Sequence, residues 1–177
     1  MGERPVEALL SLGSNIEPAK NLPAAVRRIA ERFVLRAVSA AWETLPVGPP
    51  GQPAFLNAAA VILTSDAPGQ VRSSLRGIER DLGRRRPAGP YEPRPIDLDL
   101  TLYAGLVVSA DGLRVPDPAL LRHAFVAVPA AEVAPAWRHP ETGETLQRIA
   151  SRLLAELPAA EHPRRAAVAL GWSRGAP

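Results

Sequence analysis

Arg94-Pro-Ile-Asp-Leu-Asp-Leu-Thr-Leu-Tyr103 is the stretch on which the reading of this chain turns. From Ile96 onward the residues alternate: Ile96, Leu98, Leu100 and Leu102 against Asp97, Asp99, Thr101 and Tyr103. That is the period of a strand with one face buried. The same period turns both aspartates to the other face, roughly 6.7 Å apart at 3.3–3.4 Å per residue. Two hard oxygen donors at that spacing suit one or two magnesium ions. A bare Asp-x-Asp suits a solvated strand face as well, so the neighbourhood has to decide. Residues 84–95 form an arginine-rich loop with four prolines that delivers Arg94 three residues ahead of Asp97. Cations and metal ligands thus converge on one place, which suits a polyphosphate.

Working outward, residues 7–12 read as a short apolar strand ending in the turn cluster Gly13-Ser14-Asn15. Leu22, Val26, Ile29 and Phe33 follow at helical spacing. Residues 33–44 read as a second strand, 45–53 as a loop, and 55–64, apolar on both sides, as an inner strand. Asp66 is the expected N-cap of a helix that buries Val71, Leu75, Ile78 and Leu82 and stops at Gly83. Beyond the metal strand, residues 106–115 read as a hairpin turning at Asp111-Gly112. The apolar run 118–133 is expected as two short helices separated at Pro129. Leu146, Ile149, Ala150, Leu153 and Leu157 mark a last amphipathic helix. The order βαββαβ predicts an α+β, ferredoxin-like sandwich: an antiparallel sheet with helices on one face, then a hairpin and C-terminal helices. Residues 1–157 are expected as one domain, with 158–177 as a loosely held tail or one appended element.

Composition narrows the function. With 177 residues, 46% apolar and 22% charged, the chain can bury a core. It has no cysteine, which excludes disulfide scaffolds, zinc ribbons and thiol nucleophiles. No run approaches the roughly 20 apolar residues of a membrane span, and the start goes straight into a strand-like segment, so the expected location is the cytoplasm. Of the 21 basic residues only Lys20 is a lysine. Residues 72–94 carry a local charge of +4 while the remainder sums to −1, so the basic excess is one patch. The 20 prolines read as loop stiffeners. No GxxxxGK[ST] motif and no kinase catalytic-loop motif occurs. A nucleotidyltransferase reading weakens because Gly13-Ser14 stands more than eighty residues before Asp97.

Several further segments fall into a known order: Leu10-Ser-Leu-Gly-Ser-Asn15, Glu43-Thr-Leu-Pro-Val-Gly-Pro49, Gln52-Pro-Ala-Phe-Leu-Asn-Ala58, Ile78-Glu79 with Gly83-Arg84, Pro93-Arg-Pro-Ile-Asp-Leu-Asp-Leu100, Val115-Pro116 and Phe125-Val126. On these segments, over roughly residues 7–157, the chain resembles the 6-hydroxymethyl-7,8-dihydropterin pyrophosphokinases of folate biosynthesis. The resemblance implies a ferredoxin-like core and transfer of pyrophosphate from ATP to the pterin hydroxymethyl group, releasing AMP. It implies Asp97 and Asp99 as ligands of two magnesium ions, with Arg84 and Arg94 neutralising charge on the phosphates. Phe55 and Phe125 resemble the pair that sandwiches the pterin, Asn57 its hydrogen-bonding side chain, and Thr44, Leu45 and Val47 the rest of that pocket. For ATP the implied contacts are Glu79 (at the ribose), Arg86, Tyr91, Leu100, Arg114 and Arg122.

The chain departs from the family pattern on the nucleotide side. Asp117 follows Pro116 where the family has histidine, His123 stands where an arginine is usual with Arg122 beside it, and Tyr91 replaces a tryptophan. The resemblance implies the same reaction with altered ATP contacts. Loops 45–53 and 84–95 are expected as lids hinged at Gly48, Gly51, Gly83 and Gly89. The expected partners are the two small substrates, with no nucleic acid and no membrane, and the expected state is a monomer. Two other classes stay in view. A nucleic-acid module would need exposed sheet aromatics, and the chain has eight aromatics with no stacking cluster. A scaffold that has lost catalysis would bind ATP without turning it over.

Overall fold

The computed structural model describes residues 4–46, 51–85, 92–110 and 112–172. Strand β1 (Val6–Ser14) lies at the centre of the sheet. It pairs antiparallel with β4 (Phe55–Thr64) on one side and β5 (Asp97–Tyr103) on the other. The far edge of β4 holds both β2 (Val34–Val38) and β3 (Trp42–Thr44). The single strand expected over 33–44 is therefore two. Between them the Ser39 N–H donates to the Ala59 carbonyl at 2.9 Å, and Ser39 Oγ accepts the Ala59 N–H at 2.9 Å. Ser39 thus takes over ladder bonds that a continuous strand would have made. The spatial order β5-β1-β4-β2/β3, all antiparallel, with α1 (Pro18–Arg32) and α2 (Pro68–Asp81) as the crossovers, is that of the predicted ferredoxin-like core.

Helices cover both faces of the sheet, not one. Ala8, Leu10, Leu12, Leu98 and Leu100 face Leu22, Val26 and Ile29 of α1 and Val71, Leu75 and Ile78 of α2. Leu9, Ala59, Val61 and Leu102 face the opposite way, toward α3 (Ala119–Arg122), α4 (Ala124–Val133) and α5 (Leu146–Glu156). Helix α4 lies between the sheet and α5, which explains why its sequence is apolar almost all round. Large side chains fully buried in these two layers, such as Leu9, Leu10, Ile62, Leu75 and Ile149, each contribute about 1.5–3 kcal/mol.

Three local expectations need correction. The strict alternation of β5 breaks at Thr101. Leu9 pairs with Leu102 but Leu10 pairs with Leu100, so Thr101 is the extra residue of a bulge. Leu102 consequently points to the opposite face from Leu98 and Leu100. Asp66 does not cap α2. Ala67 holds the N-cap position, its N–H satisfied by Gln70 Oε1 at 2.9 Å, while the Asp66 carboxylate pairs with Arg32. The break between α3 and α4 falls at the extended His123, and Pro129 lies inside α4.

Two further local expectations hold, the stop at Gly83 and the hairpin. Gly83 follows α2 with φ 89°, the left-handed conformation a helix stop favours. Strands β6 (Val108–Ala110) and β7 (Leu113–Val115) form the hairpin, with Asp111 itself outside the described residues. The last segment makes a 3-10 turn at Ala159–Glu161 and adds β8 (Arg164–Arg165) outside β3, then buries Leu170 against the core.

Candidate active site

The sheet brings four residues into one row: Asp97 on β5, Gly13 on β1, Asn57 on β4 and Trp42 on β3. One step along β1, Ser11 stands between Asp99 and Ala59. These rows floor a cavity of about 410 Å³ on the face covered by the C-terminal helices. Asp97 and Asp99 line one side and Phe55 and Asn57 the other, with Thr44 and Leu45 at the end of β3. Asp117, His123 and Phe125 close it from the helical layer.

Gly13 leaves room for Asn57, because a Cβ there would come 3.1 Å from Asn57 Oδ1, tight enough to push the amide aside. Asn57 is itself fixed, its Nδ2 donating to Thr44 Oγ1 at 2.7 Å in a buried contact. The turn after Gly13 ties down the arginine-rich loop. Asn15 Oδ1 accepts the Arg94 N–H at 2.8 Å, the Asn15 and Ile16 N–H groups donate to the Arg94 carbonyl, and Ser14 Oγ donates to the Pro95 carbonyl at 2.6 Å. The Gly-Ser-Asn cluster is therefore a clamp on the entry to β5.

Charge is concentrated around Asp97. Its Oδ1 takes Arg84 and its Oδ2 takes Arg94 Nη1 at 2.6 Å. Burial pushes the Asp97 carboxyl up, but the two guanidiniums outweigh it and hold it below the usual range. Arg84 is shared with Glu79, whose Oε1 also accepts the Leu98 N–H at 2.9 Å. Glu79 thereby satisfies a backbone donor on the outer edge of β5. Asp99 differs: its side chain is open to water at the cavity floor, yet protein atoms crowd it. That crowding, with the charges of Asp97, Asp117 and Glu79, raises it to about 7. Asp117 is raised by burial, partly offset by the Ala119 N–H on its Oδ1 at 2.9 Å. Burial and Arg122 lower His123, so its imidazole is neutral at neutral pH. The His123 ring stacks on Phe125 with centroids 4.9 Å apart and planes 17° from parallel.

The donors fit a magnesium ion that arrives with a phosphate. Asp97 and Asp99 are hard oxygen ligands, and Asp99 carries an anionic charge that its carboxylate neighbours disfavour. Among the described residues no group of three or more His, Cys, Asp or Glu is placed to hold an ion by itself. Magnesium is commonly held by one or two carboxylates with substrate phosphates and water completing its shell.

Of the residues singled out in the sequence, Thr44, Leu45, Phe55, Asn57, Arg94, Asp97, Asp99 and Phe125 line one cavity, with Arg84 directly behind Asp97. Others lie elsewhere. Glu79, expected at a ribose, is 1% exposed and held by Arg84 and Leu98, so it presents no free edge to a ligand. The Leu100 side chain packs in the α1/α2 core, on the far side of the sheet. Arg122 lines a second cavity of about 450 Å³ with Leu45, Leu153 and Leu157, and Arg114 sits on β7. Val47, Gly48, Arg86, Gly89 and Tyr91 lie outside the described residues. Ser11, and Asp117 and His123 as wall residues, were missed. Ser11 could have been found as a hydroxyl in the middle of an apolar strand.

Residues 9–135 match the model of the 7,8-dihydro-6-hydroxymethylpterin-pyrophosphokinase family. The 2-amino-4-hydroxy-6-hydroxymethyldihydropteridine pyrophosphokinase of Methylorubrum extorquens is 41% identical over 131 residues, covering 72% of this chain and 82% of that one. The mitochondrial folate synthesis bifunctional protein of Arabidopsis thaliana is 36% identical over 129 residues. That match covers 72% of this chain and 23% of the plant protein. Wild-type Plasmodium falciparum HPPK-DHPS, solved with pteroate, superposes with a TM-score of 0.71 at 10% identity, covering 93% of this chain and 48% of that one, and shows the fold alone. The clamp after β1, the paired aspartates of β5 and the aromatic-walled cavity between them thus stand in a chain that belongs to the 7,8-dihydro-6-hydroxymethylpterin-pyrophosphokinase family.

Proposed function

We propose that the cavity binds 6-hydroxymethyl-7,8-dihydropterin between Phe55 and Phe125, and that ATP lies along Asp97, Asp99 and the two arginines. The reaction is transfer of pyrophosphate from ATP to the pterin hydroxymethyl group in folate biosynthesis. The observation that carries the site assignment is the one cavity shared by an aromatic pocket and a carboxylate pair, joined through Gly13. A flat heterocycle with donor and acceptor edges suits Phe55, Phe125 and the amide of Asn57. Thr44 and Leu45 close the pocket, and Val47 is the further pterin contact in this reading.

In this reading Asp97 and Asp99 hold the magnesium, which when bound neutralises phosphate oxygens and fixes the phosphate chain. The chain's own residues do the rest. Arg84 and Arg94, both on Asp97 in the structure, are the groups that can exchange a carboxylate for a phosphate oxygen. Their charge then lies where negative charge spreads during transfer. The hydroxymethyl oxygen forms a bond to the β-phosphorus and gives up its proton to water, the bond from that phosphorus to the α-phosphate oxygen breaks, and AMP leaves. A loose transition state of this kind needs position and charge neutralisation more than a strong base. Arg86, Tyr91, Arg114 and Arg122 are the further ATP contacts in this reading, and Glu79 and Leu100 act from behind the strand.

Residues 1–157 make up the pyrophosphokinase unit with 158–177 added to it, acting as a cytoplasmic monomer on small molecules alone. No helix among the described residues is long and apolar enough to cross a membrane. Product analysis after incubation with ATP, magnesium and the pterin tests the reading. AMP formation that needs the pterin and is lost in Asp97→Ala is the expected result; ADP formation overturns it.

A further inference from the structure

The family match ends at residue 135, yet the segment after residue 158 pairs with the strand that carries one end of the cavity. Strand β3 has only three residues and carries Thr44, the partner of Asn57. Its outer edge pairs with β8, Trp42 opposite Arg165 and Glu43 opposite Arg164, and the Ala166 N–H donates to the Ala41 carbonyl at 2.9 Å. One carboxylate joins these pieces to the helical layer. Glu132, on α4, accepts the Trp42 Nε1–H at 2.8 Å, the Ala40 N–H at 3.2 Å and Arg165 Nη2 at 2.9 Å. Helix α4 also carries Phe125 in its first turn. Glu132 therefore links the strand bearing Thr44, the helix bearing Phe125 and the C-terminal segment.

We infer that Arg165 and Glu132 are positioning residues for the pterin: the C-terminal segment is a strap that holds β3 against α4 and so sets the spacing of Thr44, Asn57 and Phe125. Without β8, a three-residue strand would be left as an open edge, with its register held from one side only. Neither residue lines the cavity, so their effect has to pass through β3. The paired aspartates sit on β5 at the other edge of the sheet, with Arg84 and Arg94 reaching Asp97 there, so ATP binding should not feel the loss of the Arg165–Glu132 pair. This rests on the pterin-binding reading above.

Calorimetric titration of the full chain separates the possibilities, with 6-hydroxymethyl-7,8-dihydropterin and α,β-methylene-ATP each titrated alone. Arg165→Glu puts two carboxylates together and is expected to weaken pterin binding about fivefold while leaving the affinity for the ATP analogue unchanged. Glu132→Gln keeps an acceptor for Trp42 and removes the repulsion, so adding it to Arg165→Glu should restore at least half of the lost affinity. Arg165→Ala, which introduces no repulsion, should weaken the pterin about two- to threefold. Unchanged pterin affinity in Arg165→Glu, or an equal loss for pterin and nucleotide, overturns the strap. Failure of the unaltered chain to bind the pterin at all overturns instead the reading on which the strap rests.

Discussion

The Thr101 carbonyl accepts the backbone N–H of Asp117 at 2.9 Å, and Thr101 is also the residue at which β5 bulges. The extra residue turns this carbonyl toward the segment after the hairpin and brings Asp117 into the cavity with Asp97 and Asp99. The same residue has a buried hydroxyl without a partner among the described residues. Thr101→Val keeps the shape and the carbonyl bond and removes the unsatisfied oxygen. It is expected to stabilise the chain by about 1 kcal/mol, read as a raised denaturation midpoint with unchanged turnover.

Glu79 is buried with Arg84 on one side and the Leu98 N–H on the other. Removing one member of such a group leaves an uncompensated charge and an orphaned donor. Glu79→Ala is expected to cost about 3–5 kcal/mol in urea unfolding. Glu79→Gln, which keeps an acceptor for Leu98, should cost clearly less. Equal costs would show that the Leu98 bond adds nothing.

Much of this was legible in the sequence, and the reasons differ by element. The strand over residues 97–103 and the helix over Val71, Leu75 and Ile78 depend on local periodicity, and both appear in the structure, the strand with its alternation kept as far as Leu100. The bulge at Thr101 is not local, because it depends on the pairing of Leu9 and Leu10 across the sheet. The break at His123 in place of Pro129 is set by how α4 fits between sheet and α5, where packing overrides the loss of one helical N–H. In the site, Asp97, Asp99 and Asn57 were legible because their strands fix which way they point. The burial of Glu79 was not legible because its helix turns it under β5, and that depends on crossing geometry that one sequence does not display.

Asp99 gives a pH dependence of stability. Its carboxyl is raised to about 7 in the folded chain from an ordinary 3.8. Below pH 4 both folded and unfolded forms are protonated and nothing is lost. Between pH 4 and 7 the unfolded chain ionises first, so stability falls as pH rises, and above 7 the loss is constant. Because water reaches this side chain, the loss is about 1–2 kcal/mol after screening. Thermal melts of Asp99→Asn should therefore lie above those of the unaltered chain at pH 8 and converge on them at pH 4. A gap that widens toward low pH would contradict this.

Gly13 and Asn57 are neighbours across the strand pair. In Gly13→Ala the new methyl meets Asn57 Oδ1 at 3.1 Å, so the amide must move. Pterin KM is expected to rise about tenfold, since one displaced hydrogen bond is worth roughly 1 kcal/mol or more, while KM for ATP changes little. A rise confined to ATP would place the pterin elsewhere.

The central claim is that the oxygen of the pterin attacks the β-phosphorus of ATP across the row formed by Asn57, Gly13 and Asp97. The most direct measurement follows two labels in parallel incubations with magnesium and the pterin, ATP labelled at the β-phosphorus in one and at the α-phosphorus in the other. The β label is expected on the pterin, two phosphates beyond its oxygen intact, and the α label in AMP. A β label that stays with ADP, while only the γ-phosphate reaches the pterin, contradicts it.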